Sequence, residues 1–378
     1  MRFAAPWQRG SRCTFMAFMF IMVKVVCSTT GRNEVVGFAW HRALSRGAAM
    51  CIIGDRHAIM NILLTGGAGF IGSHTACALL RRGDRVTIVD EFNDYYAPRV
   101  KRRNIEDVCA AGPCTVCEGD IRDLAFLRGV FARGPFDAVC HMAARAGVRP
   151  SITQPFLYEQ VNVLGTLHLL QLAVEHKIPQ FLYASSSSVY GNMPTAPFRE
   201  DMQLDQPISP YAATKKACEL LAYTYHHLYG LRCIGLRFFT VYGPAGRPDM
   251  APFIFTRNML ECRPIQQFGD GSSLRDYTYI DDIVAGILAS LDCSYACEIF
   301  NLGNCRPIRL DEFIRQIAAA CGVTPVIERL PMQPGDVQMT CADTAKAQRL
   351  LGFAAKTPFE QGIRHFVNWY REHADLYR

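Results

Sequence analysis

The stretch ILLTGGAGFIG at residues 62–72 decides how the rest of the chain is interpreted. An apolar run ends at Thr65, and an apolar helical pattern begins at Phe70. Between a strand and a helix, spaced glycines permit a tight turn, let the backbone approach a pyrophosphate, and let the helix pack closely on the strand. The free N–H groups of the helix N-terminus then bind the phosphates. We therefore predict a dinucleotide site that includes Gly66, Gly69, Phe70, Ile71 and Gly72.

A carboxylate at the end of the next strand favours NAD over NADP. Asp90 follows Gly72 by eighteen residues and ends the run Arg85–Asp90. A carboxylate in this place accepts hydrogen bonds from the adenosine ribose and repels a 2′-phosphate. Two further pairs are predicted to lie beside the adenine and beside the middle of the cofactor, with ordinary strand ends as the alternative: Asp120 and Ile121, and Ala143 and Ala144.

Apolar runs alternate with amphipathic helical segments from Asn61 onward. The predicted strands are Asn61–Thr65, Arg85–Asp90, Thr115–Glu118, Ala138–His141, Phe181–Ser185 and Cys233–Phe238. The predicted helices between them are Phe70–Arg82, Leu124–Ala132, Asn162–His176 and Tyr211–Tyr229. Apolar strands separated by helices indicate a parallel sheet covered on both faces. The predicted fold class is α/β, a doubly wound parallel sheet of the Rossmann type with a smaller C-terminal α/β substrate domain.

The domain boundary is predicted near Tyr242, where Pro and Gly become denser and the alternation weakens. Residues 60–242 are predicted to bind NAD, residues 243–378 to bind the substrate, and residues 281–305 to rejoin the first sheet. Residues 1–59 lack sustained periodicity, so we expect a mis-assigned start upstream of Met60 or a disordered extension. A signal peptide is the alternative, because basic residues precede the ten-residue apolar run Thr14–Val23.

Composition excludes several classes of function. The formal net charge of +6 lies entirely in residues 1–59, so the body of the chain is neutral and we expect no nucleic-acid partner. The apolar run of the extension is too short to span a bilayer, and no membrane partner is expected. The sixteen cysteines are scattered through apolar stretches, which indicates a reducing, cytoplasmic location. The pair Cys114 and Cys117 lacks a second pair or a nearby His, so no metal site is predicted.

A phenol and an amine stand one helical turn apart in the fourth predicted helix. Tyr211 and Lys215 are at positions i and i+4, which share one face of a helix. An ammonium group beside a phenol stabilises the phenolate and favours its action as a general base. The run Ser185–Ser188 ends the fifth strand, at the sheet edge where doubly wound folds bind ligands. Its hydroxyls need partners, which a sugar would supply.

Taken together, these motifs resemble the extended short-chain dehydrogenases/reductases that act on nucleotide sugars. The resemblance covers Met60–Arg378 and includes the segment RDYTYIDD at residues 275–282. It implies NAD as cofactor, Tyr211 as base, Lys215 as its partner, and Ser186 as the hydroxyl that holds the sugar O4, with Ser187 and Ser188 as alternates. It also implies a homodimer formed through a four-helix bundle that includes the Tyr211 helix.

Several longer strings are similar to UDP-glucuronate 4-epimerases. They are FNDYY at 92–96, AGVR at 146–149, LRFFTVYGP at 236–244, GRPDM at 246–250 and MQPGDV at 332–337. The similarity implies conversion of UDP-glucuronate to UDP-galacturonate through a 4-keto intermediate. It also implies a role in polysaccharide biosynthesis, without indicating which polysaccharide receives the product.

Related reactions are separated by the residues that follow Ser186. Sugar 4,6-dehydratases place an Asp-Glu pair there, and UDP-glucuronate decarboxylases usually have a Glu in the same run, whereas this chain has Ser187 and Ser188. The pattern therefore favours oxidation and reduction at C4 without elimination. A UDP-glucose/UDP-galactose 4-epimerase, a decarboxylase-like enzyme and a non-catalytic nucleotide sensor remain the alternatives.

Oxidation of a glucuronate at C4 gives a β-keto acid, so an epimerase has to restrain the carboxylate. The hypothesis assigns this to Ser187, Ser188 and Thr240, with Arg149 or Arg247 offsetting the negative charge. In the alternative, Thr240 only ends a strand and the arginines contact phosphate or solvent.

The nucleotide end is expected to bind a UDP group. Arg275 and Asp336 match the UDP-binding positions that the resemblance implies, with Arg247 as a further phosphate contact. The galactose-type epimerases often have Arg where this chain has Gln333, which weakens the UDP-galactose alternative.

Overall fold

The computed structural model describes residues 59–331 and 337–377. The predictions for residues 1–58 and for Asp336 lie outside the described residues. In the first part of the chain the elements are β1 (Asn61–Thr65), α1 (Phe70–Arg82), β2 (Arg85–Asp90), α2 (Pro98–Ala111), β3 (Thr115–Glu118), α3 (Leu124–Phe131), β4 (Ala138–His141), α4 (Val148–Thr153), α5 (Pro155–Tyr158), α6 (Gly165–Glu175), β5 (Gln180–Ser186), α7 (Pro210–Tyr229) and β6 (Arg232–Phe238).

Shorter strands and helices follow. They are β7 (Thr240–Tyr242), α8 (Ala251–Leu260), β8 (Ile265–Phe268), β9 (Leu274–Arg275), β10 (Tyr277–Tyr279), α9 (Ile280–Asp292), β11 (Cys297–Leu302), β12 (Ile308–Arg309), α10 (Leu310–Cys321), β13 (Ile327–Leu330), α11 (Ala345–Leu351) and α12 (Phe359–His373). A π-helical turn at Glu159–Leu164 joins α5 to α6, and 3-10 turns occupy Ser187–Tyr190 and Ala374–Tyr377.

The central sheet has seven strands in the order β11–β6–β5–β4–β1–β2–β3, and every neighbouring pair is parallel. The strand order reverses between β1 and β4. In such a sheet the loops that follow the two strands at the reversal run to opposite faces and leave a crevice for a ligand at the carboxyl ends. The predicted doubly wound α/β fold is confirmed.

Successive residues of each strand face opposite layers of helices. Leu63 and Val139 pack with residues of α3, α6 and α7, whereas Leu64 and Cys140 pack with residues of α1, α9 and α11. Successive side chains of a strand point to opposite faces of the sheet, so a strand buried on both faces contributes to both clusters. A third cluster, which includes Phe313 and Phe366, joins α8, α10 and α12 to Phe70 at the start of α1.

The seventh strand of the sheet, β11, pairs with β6 from Cys297 to Leu302, within residues 281–305, the segment expected to rejoin the sheet. Two helical regions differ from the predicted ones. The helical segment predicted from Asn162 begins earlier, at Pro155, and it contains the π turn. The fixed φ of a proline suits the first turn of a helix. Helix α2 was not predicted, because many of its residues are charged and only four are buried. None of the helices in the described ranges is both long and apolar enough to cross a membrane.

Candidate active site

One cavity of about 760 Å³ lies at the carboxyl ends of the central strands. It brings together every predicted site residue that the structure describes. Those at the predicted cofactor end are Gly66, Gly69, Phe70, Ile71, Gly72, Asp90, Asp120, Ile121, Ala143 and Ala144. Those toward the other end are Arg149, Ser186, Ser187, Ser188, Tyr211, Lys215, Thr240, Arg247 and Arg275. Asp336 lies outside the described residues, although the next residue, Val337, lines the cavity.

The glycine loop is packed too tightly for side chains. Gly66 has a φ of +73°, and its N–H donates to the carbonyl of Val89 at 2.7 Å. A Cβ on Gly66 would lie 2.6 Å from the backbone nitrogen of Ala143, and one on Gly72 would lie 2.0 Å from the carbonyl oxygen of Gly66. The loop therefore brings the backbone close to the start of α1, whose first N–H groups have no partners within the helix.

The carboxylate of Asp90 braces this loop from the neighbouring strand. Its Oδ2 accepts a hydrogen bond from the N–H of Ala68 at 3.0 Å, and its Oδ1 accepts one from the N–H of Phe92 at 3.0 Å. Each carboxylate oxygen can accept a further hydrogen bond, and Asp90 lines the cavity. A glycine loop in which a Cβ on Gly66 or Gly72 would clash, with a carboxylate placed beside it, fits the pyrophosphate and adenosine ribose of NAD.

A buried imidazole supports the loop from beneath. His141 Nδ1 lies 2.7 Å from Thr65 Oγ1, and His141 Nε2 lies 3.0 Å from Thr166 Oγ1. Burial, followed by the nearby positive charge of Lys215, lowers the pKa of His141 to about 3. The neutral ring therefore serves as a hydrogen-bonding bridge between β1, β4 and α6.

Helix α7 presents the phenol and the amine to the cavity. Ser209 caps the helix by accepting from the N–H of Ala212 at 3.1 Å, and Pro210 occupies its first turn. Lys215 is buried, and its Nζ donates to the carbonyl oxygen of Ala184 on β5 at 2.8 Å. None of the described residues hydrogen-bonds the Tyr211 hydroxyl, which leaves it available to a ligand.

The serine run turns away from the sheet immediately after Ser186. Ser186 ends β5, and its Oγ accepts from the N–H of Ser188 at 3.1 Å, which starts the 3-10 turn. The hydroxyls of Ser187, Ser188 and Thr240 line the cavity, and no described residue hydrogen-bonds any of them. This end of the cavity thus offers a set of unengaged hydroxyl groups.

The three predicted arginines have different surroundings. Arg247 forms an ion pair with Asp249, with Nε–Oδ1 and Nη2–Oδ2 distances of 3.0 and 2.6 Å. Burial alone would lower the pKa of the Arg247 guanidinium, but Asp249, together with Tyr95 and Tyr211, raises it by more, so the group stays charged. The Arg149 guanidinium lies 5.3 Å from the centre of the Phe268 ring. Arg275 Nη1 donates to the carbonyl oxygen of Leu274 at 2.9 Å.

Several residues that line the cavity or lie next to it were missed at the sequence level. The Tyr95 hydroxyl donates to the carbonyl oxygen of Ala146 at 2.7 Å and accepts from Arg247 Nη2 at 3.0 Å, so it links the segment after β4 to the loop that carries Arg247. Asn162, in the π turn, holds both the N–H and the carbonyl of Arg145. Tyr95 and Asp249 belong to the strings FNDYY and GRPDM, which were the available signal; Asn162 had none.

A family model described as GDP-mannose 4,6 dehydratase matches residues 63–366. The chain belongs to this family of extended short-chain dehydrogenases/reductases. This membership confirms the predicted resemblance. The extended dehydrogenase/reductase chain is 42% identical to the UDP-glucuronate 4-epimerase of Thermodesulfobacterium geofontis over 315 residues, covering 83% of this chain and 97% of that one.

Two further relatives have similar names. UDP-glucuronate 4-epimerase 4 of Arabidopsis thaliana is 42% identical over 356 residues, covering 89% of this dehydrogenase/reductase and 81% of the relative. A crystal structure of UDP-glucuronic acid 4-epimerase from Bacillus cereus, in complex with UDP-glucuronic acid and NAD, superposes with a TM-score of 0.77 at 34% identity. The match covers 83% of this chain and 99% of that one.

Proposed function

We propose that the protein catalyses the NAD-dependent epimerisation of UDP-glucuronate at C4, giving UDP-galacturonate through a 4-keto intermediate. One observation carries the proposal. The cavity that contains the NAD-type glycine loop also contains Tyr211 and Lys215, and beside them the unengaged hydroxyls of Ser187, Ser188 and Thr240. This end thus combines the groups for oxidising an alcohol with hydroxyl donors for a carboxylate, and it lacks the Asp-Glu pair that elimination would use. The similarity to UDP-glucuronate 4-epimerases supports the same activity.

The cofactor end would hold NAD through backbone and one carboxylate. Gly66, Gly69 and Gly72 admit the pyrophosphate, with Phe70 and Ile71 contributing N–H groups of the first turn of α1. The other proposed contacts are Asp90 with the adenosine ribose, Asp120 and Ile121 with the adenine, and Ala143 and Ala144 with the middle of the cofactor. NAD held by these residues would supply the hydride acceptor for the oxidation at C4 and the hydride donor for the reduction on the opposite face of the sugar.

Proton movement is assigned to helix α7. Tyr211 removes the proton from O4 as the alcohol is oxidised and returns it when the ketone is reduced. The ammonium group of Lys215 stabilises the phenolate through its charge. Ser186 binds O4 through its hydroxyl and so orients the C4 substituent toward Tyr211. Between oxidation and reduction the 4-keto sugar has to rotate in the cavity, so that its other face meets the cofactor.

Control of the carboxylate decides which product leaves. A β-keto acid loses CO₂ when the bond to the carboxylate aligns with the carbonyl π system. Hydrogen bonds from Ser187, Ser188 and Thr240 would keep the carboxylate out of that alignment. Positive charge would come from Arg149 or from Arg247, whose guanidinium is already shared with Asp249.

The UDP group would lie toward the C-terminal part of the cavity. Arg275 lines that part and, with Asp336, is the proposed contact for the nucleotide; Arg247 is the further phosphate contact. We propose the domain division on the same basis, with residues 60–242 and strand β11 binding NAD and residues 243–378 binding the nucleotide sugar.

A homodimer is also proposed. Exposed apolar side chains lie on two neighbouring helical segments, with Ile152 and Phe156 on α4 and α5, and Leu220, Tyr223 and Leu228 on α7. Helix α7 contacts both α4 and α5, and exposed apolar side chains on packed helices are of the kind that a helical dimer interface buries. The described cysteines are all free thiols, which supports a reducing, cytoplasmic compartment.

The test is proton NMR of UDP-glucuronate incubated with the full-length protein and NAD, following the anomeric signals and CO₂ release. We expect UDP-galacturonate at equilibrium and no pentose. A UDP-pentose would mean decarboxylation. Conversion of UDP-glucose alone would mean a neutral-sugar epimerase, and bound NAD without turnover of either sugar would mean a non-catalytic sensor.

A further inference from the structure

A buried ion pair lies directly behind the serine run. Arg237 on β6 donates two hydrogen bonds to Glu219 on α7, from Nε to Oε1 at 2.8 Å and from Nη2 to Oε2 at 2.9 Å. Arg237 is 2% exposed and Glu219 is 3% exposed. Neither residue lines the cavity. A buried ion pair adds little net stability compared with apolar residues of similar size. Its role therefore has to be sought in the neighbouring segments that it holds in place.

One contact of the pair is with the strand residue next to Ser186. The Ser185 hydroxyl donates to Glu219 Oε1 at 2.7 Å. Ser185 and Arg237 are directly opposite each other in the β5–β6 ladder, so both side chains meet the same carboxylate on α7. Burial raises the pKa of the Glu219 carboxyl, but Arg237, Ser185 and Lys216 together lower it by more, so the pair is ionic.

A second contact anchors the other end of the serine run. Arg237 Nη1 donates to the Tyr190 hydroxyl at 3.0 Å, and that hydroxyl donates to Asn301 Oδ1 on β11 at 2.7 Å. Tyr190 is the last residue of the 3-10 turn that starts at Ser187. The residues Ser186–Ser188 therefore lie between two positions, 185 and 190, that are both bonded to the same ion pair.

Helix α7 carries the catalytic pair on the same stripe. Tyr211, Lys215 and Glu219 are spaced by four residues each, which places them on one face of the helix. Lys215 bonds to the carbonyl of Ala184 on β5, and Glu219 bonds to the side chain of Ser185, the next residue. Two consecutive residues of β5 are thus fixed to two consecutive turns of α7.

We infer that Glu219 and Arg237 are positioning residues, which set the distance and angle between the hydroxyls of Ser186–Ser188 and the Tyr211–Lys215 pair. Neither residue lines the cavity proposed to hold substrate and cofactor. They act by fixing both ends of the serine run to the helix that carries the base. The inference rests on the proposed epimerase function, because it concerns the geometry of that reaction.

The experiment compares Glu219→Gln with wild-type protein, using UDP-glucuronate, NAD and NMR detection of products. The amide has nearly the same shape, but it cannot accept both Arg237 bonds and leaves the guanidinium charge unbalanced. We expect kcat to fall about 100-fold, the loss typical of a misplacement of about 1 Å, with the KM for UDP-glucuronate within about threefold. The pentose fraction should rise, because the carboxylate is held less firmly.

A milder variant covers the case in which Glu219→Gln does not fold. Ser185→Ala leaves the ion pair intact and removes only its bond to β5, and we expect about a tenfold fall in kcat. The double variant should be no slower than Glu219→Gln alone, because both changes break the same connection. Losses that multiply, or kcat values that fall only in proportion to the folded fraction, would overturn the inference.

The matched control is Asp84→Asn. Asp84 is also buried and paired with an arginine, Arg82, at 2.6 Å, but it precedes β2 at the amino end of the sheet. This variant should unfold at a lower temperature and keep kcat within about twofold. If wild-type protein converts no UDP-glucuronate, the proposed function itself fails and the inference with it. If wild-type protein converts it and both site variants match wild type, only the positioning role fails.

Discussion

The cofactor end of the cavity is formed mainly by backbone groups, whereas the reaction end is formed mainly by side chains. At the cofactor end, backbone groups of Gly66 and Ala68 meet partners on the adjacent strand β2, and a Cβ on Gly72 would collide with the loop itself. At the reaction end, side chains from α7, β6 and β11 form the connections. A site formed by backbone groups is encoded by a short motif, and an added side chain would clash with it. A site formed by side chains depends on hydrogen bonds between residues that are far apart in the sequence.

The largest effect should come from the reaction end, with Tyr211→Phe. The variant keeps the ring, which packs edge-on against Tyr158 at 6.1 Å, and removes only the hydroxyl that exchanges the proton. We expect kcat to fall at least about 10³-fold, within the range for loss of a general base. Bound NAD, measured after protein precipitation, should be unchanged. Substantial residual turnover would mean that another group serves as base.

At the cofactor end, Gly72→Ala should act on binding. The added methyl would lie 2.0 Å from the carbonyl oxygen of Gly66, so the loop has to shift. We expect NAD affinity to fall about 100-fold and the free energy of unfolding to fall by about 1–3 kcal/mol, as overpacking costs. Titration calorimetry and urea unfolding measure the two effects.

The control for this variant is Gly129→Ala. Gly129 lies in α3, and a Cβ there has open space around it, so NAD affinity should stay at the wild-type value. Equal affinities of both variants would show that the tight fit of the loop does not matter for binding.

Acid should weaken the cofactor end through His141. The unfolded imidazole has a pKa of about 6.5, whereas burial lowers the pKa of His141 in the folded protein to about 3. Between these values the unfolded chain binds a proton that the folded chain does not. The contribution to stability is therefore complete above pH 6.5 and is lost as the pH falls, by up to about 1.4 kcal/mol per pH unit.

Urea unfolding at pH 7, 6 and 5 measures this slope. The His141→Asn variant cannot take up a proton, so its stability should fall less steeply over the same range. The control is His227→Asn, because His227 is exposed and its replacement should leave the slope unchanged. A slope that is the same in all three proteins would contradict the assignment to His141.

The smallest effect is expected for Thr240→Val, which sharpens the comparison within the reaction end. The variant keeps the shape of the side chain and removes one of the hydroxyls that line the cavity. We expect CO₂ release relative to epimerisation to rise about threefold, which corresponds to the loss of roughly one hydrogen bond. Thr115→Val, an exposed threonine on β3, should not change the ratio. An unchanged ratio in Thr240→Val would remove Thr240 from the carboxylate site.

The two ends also differ in how far the sequence predicts them. Strands β1 to β4 begin and end where the alternation of apolar runs places them, and every described residue predicted for the site lines the cavity. These predictions depend on local patterns, because a glycine turn or an i, i+4 pair is complete within a few residues.

Contacts between side chains that are far apart in the sequence could not be predicted from such local patterns. Glu219 and Arg237 are both typical surface residue types, and nothing within their own segments indicates that they pair in the interior. The bond between Tyr190 and Asn301 joins positions 111 residues apart. The π turn that places Asn162 beside Arg145 has no single-sequence signal, because it depends on how the helix packs.

The span of the cavity along the chain has a consequence for biosynthesis. Its lining runs from Gly66 to Thr340, and the residues proposed to bind the cofactor end at Lys215. Because a ribosome delivers the chain from its N-terminus, the glycine loop and strands β1 to β5 are synthesised before Thr240, Arg275 and Thr340. The nascent chain can therefore bind NAD before the sugar-binding part of the cavity has been synthesised, and bound NAD would stabilise the incomplete chain by mass action.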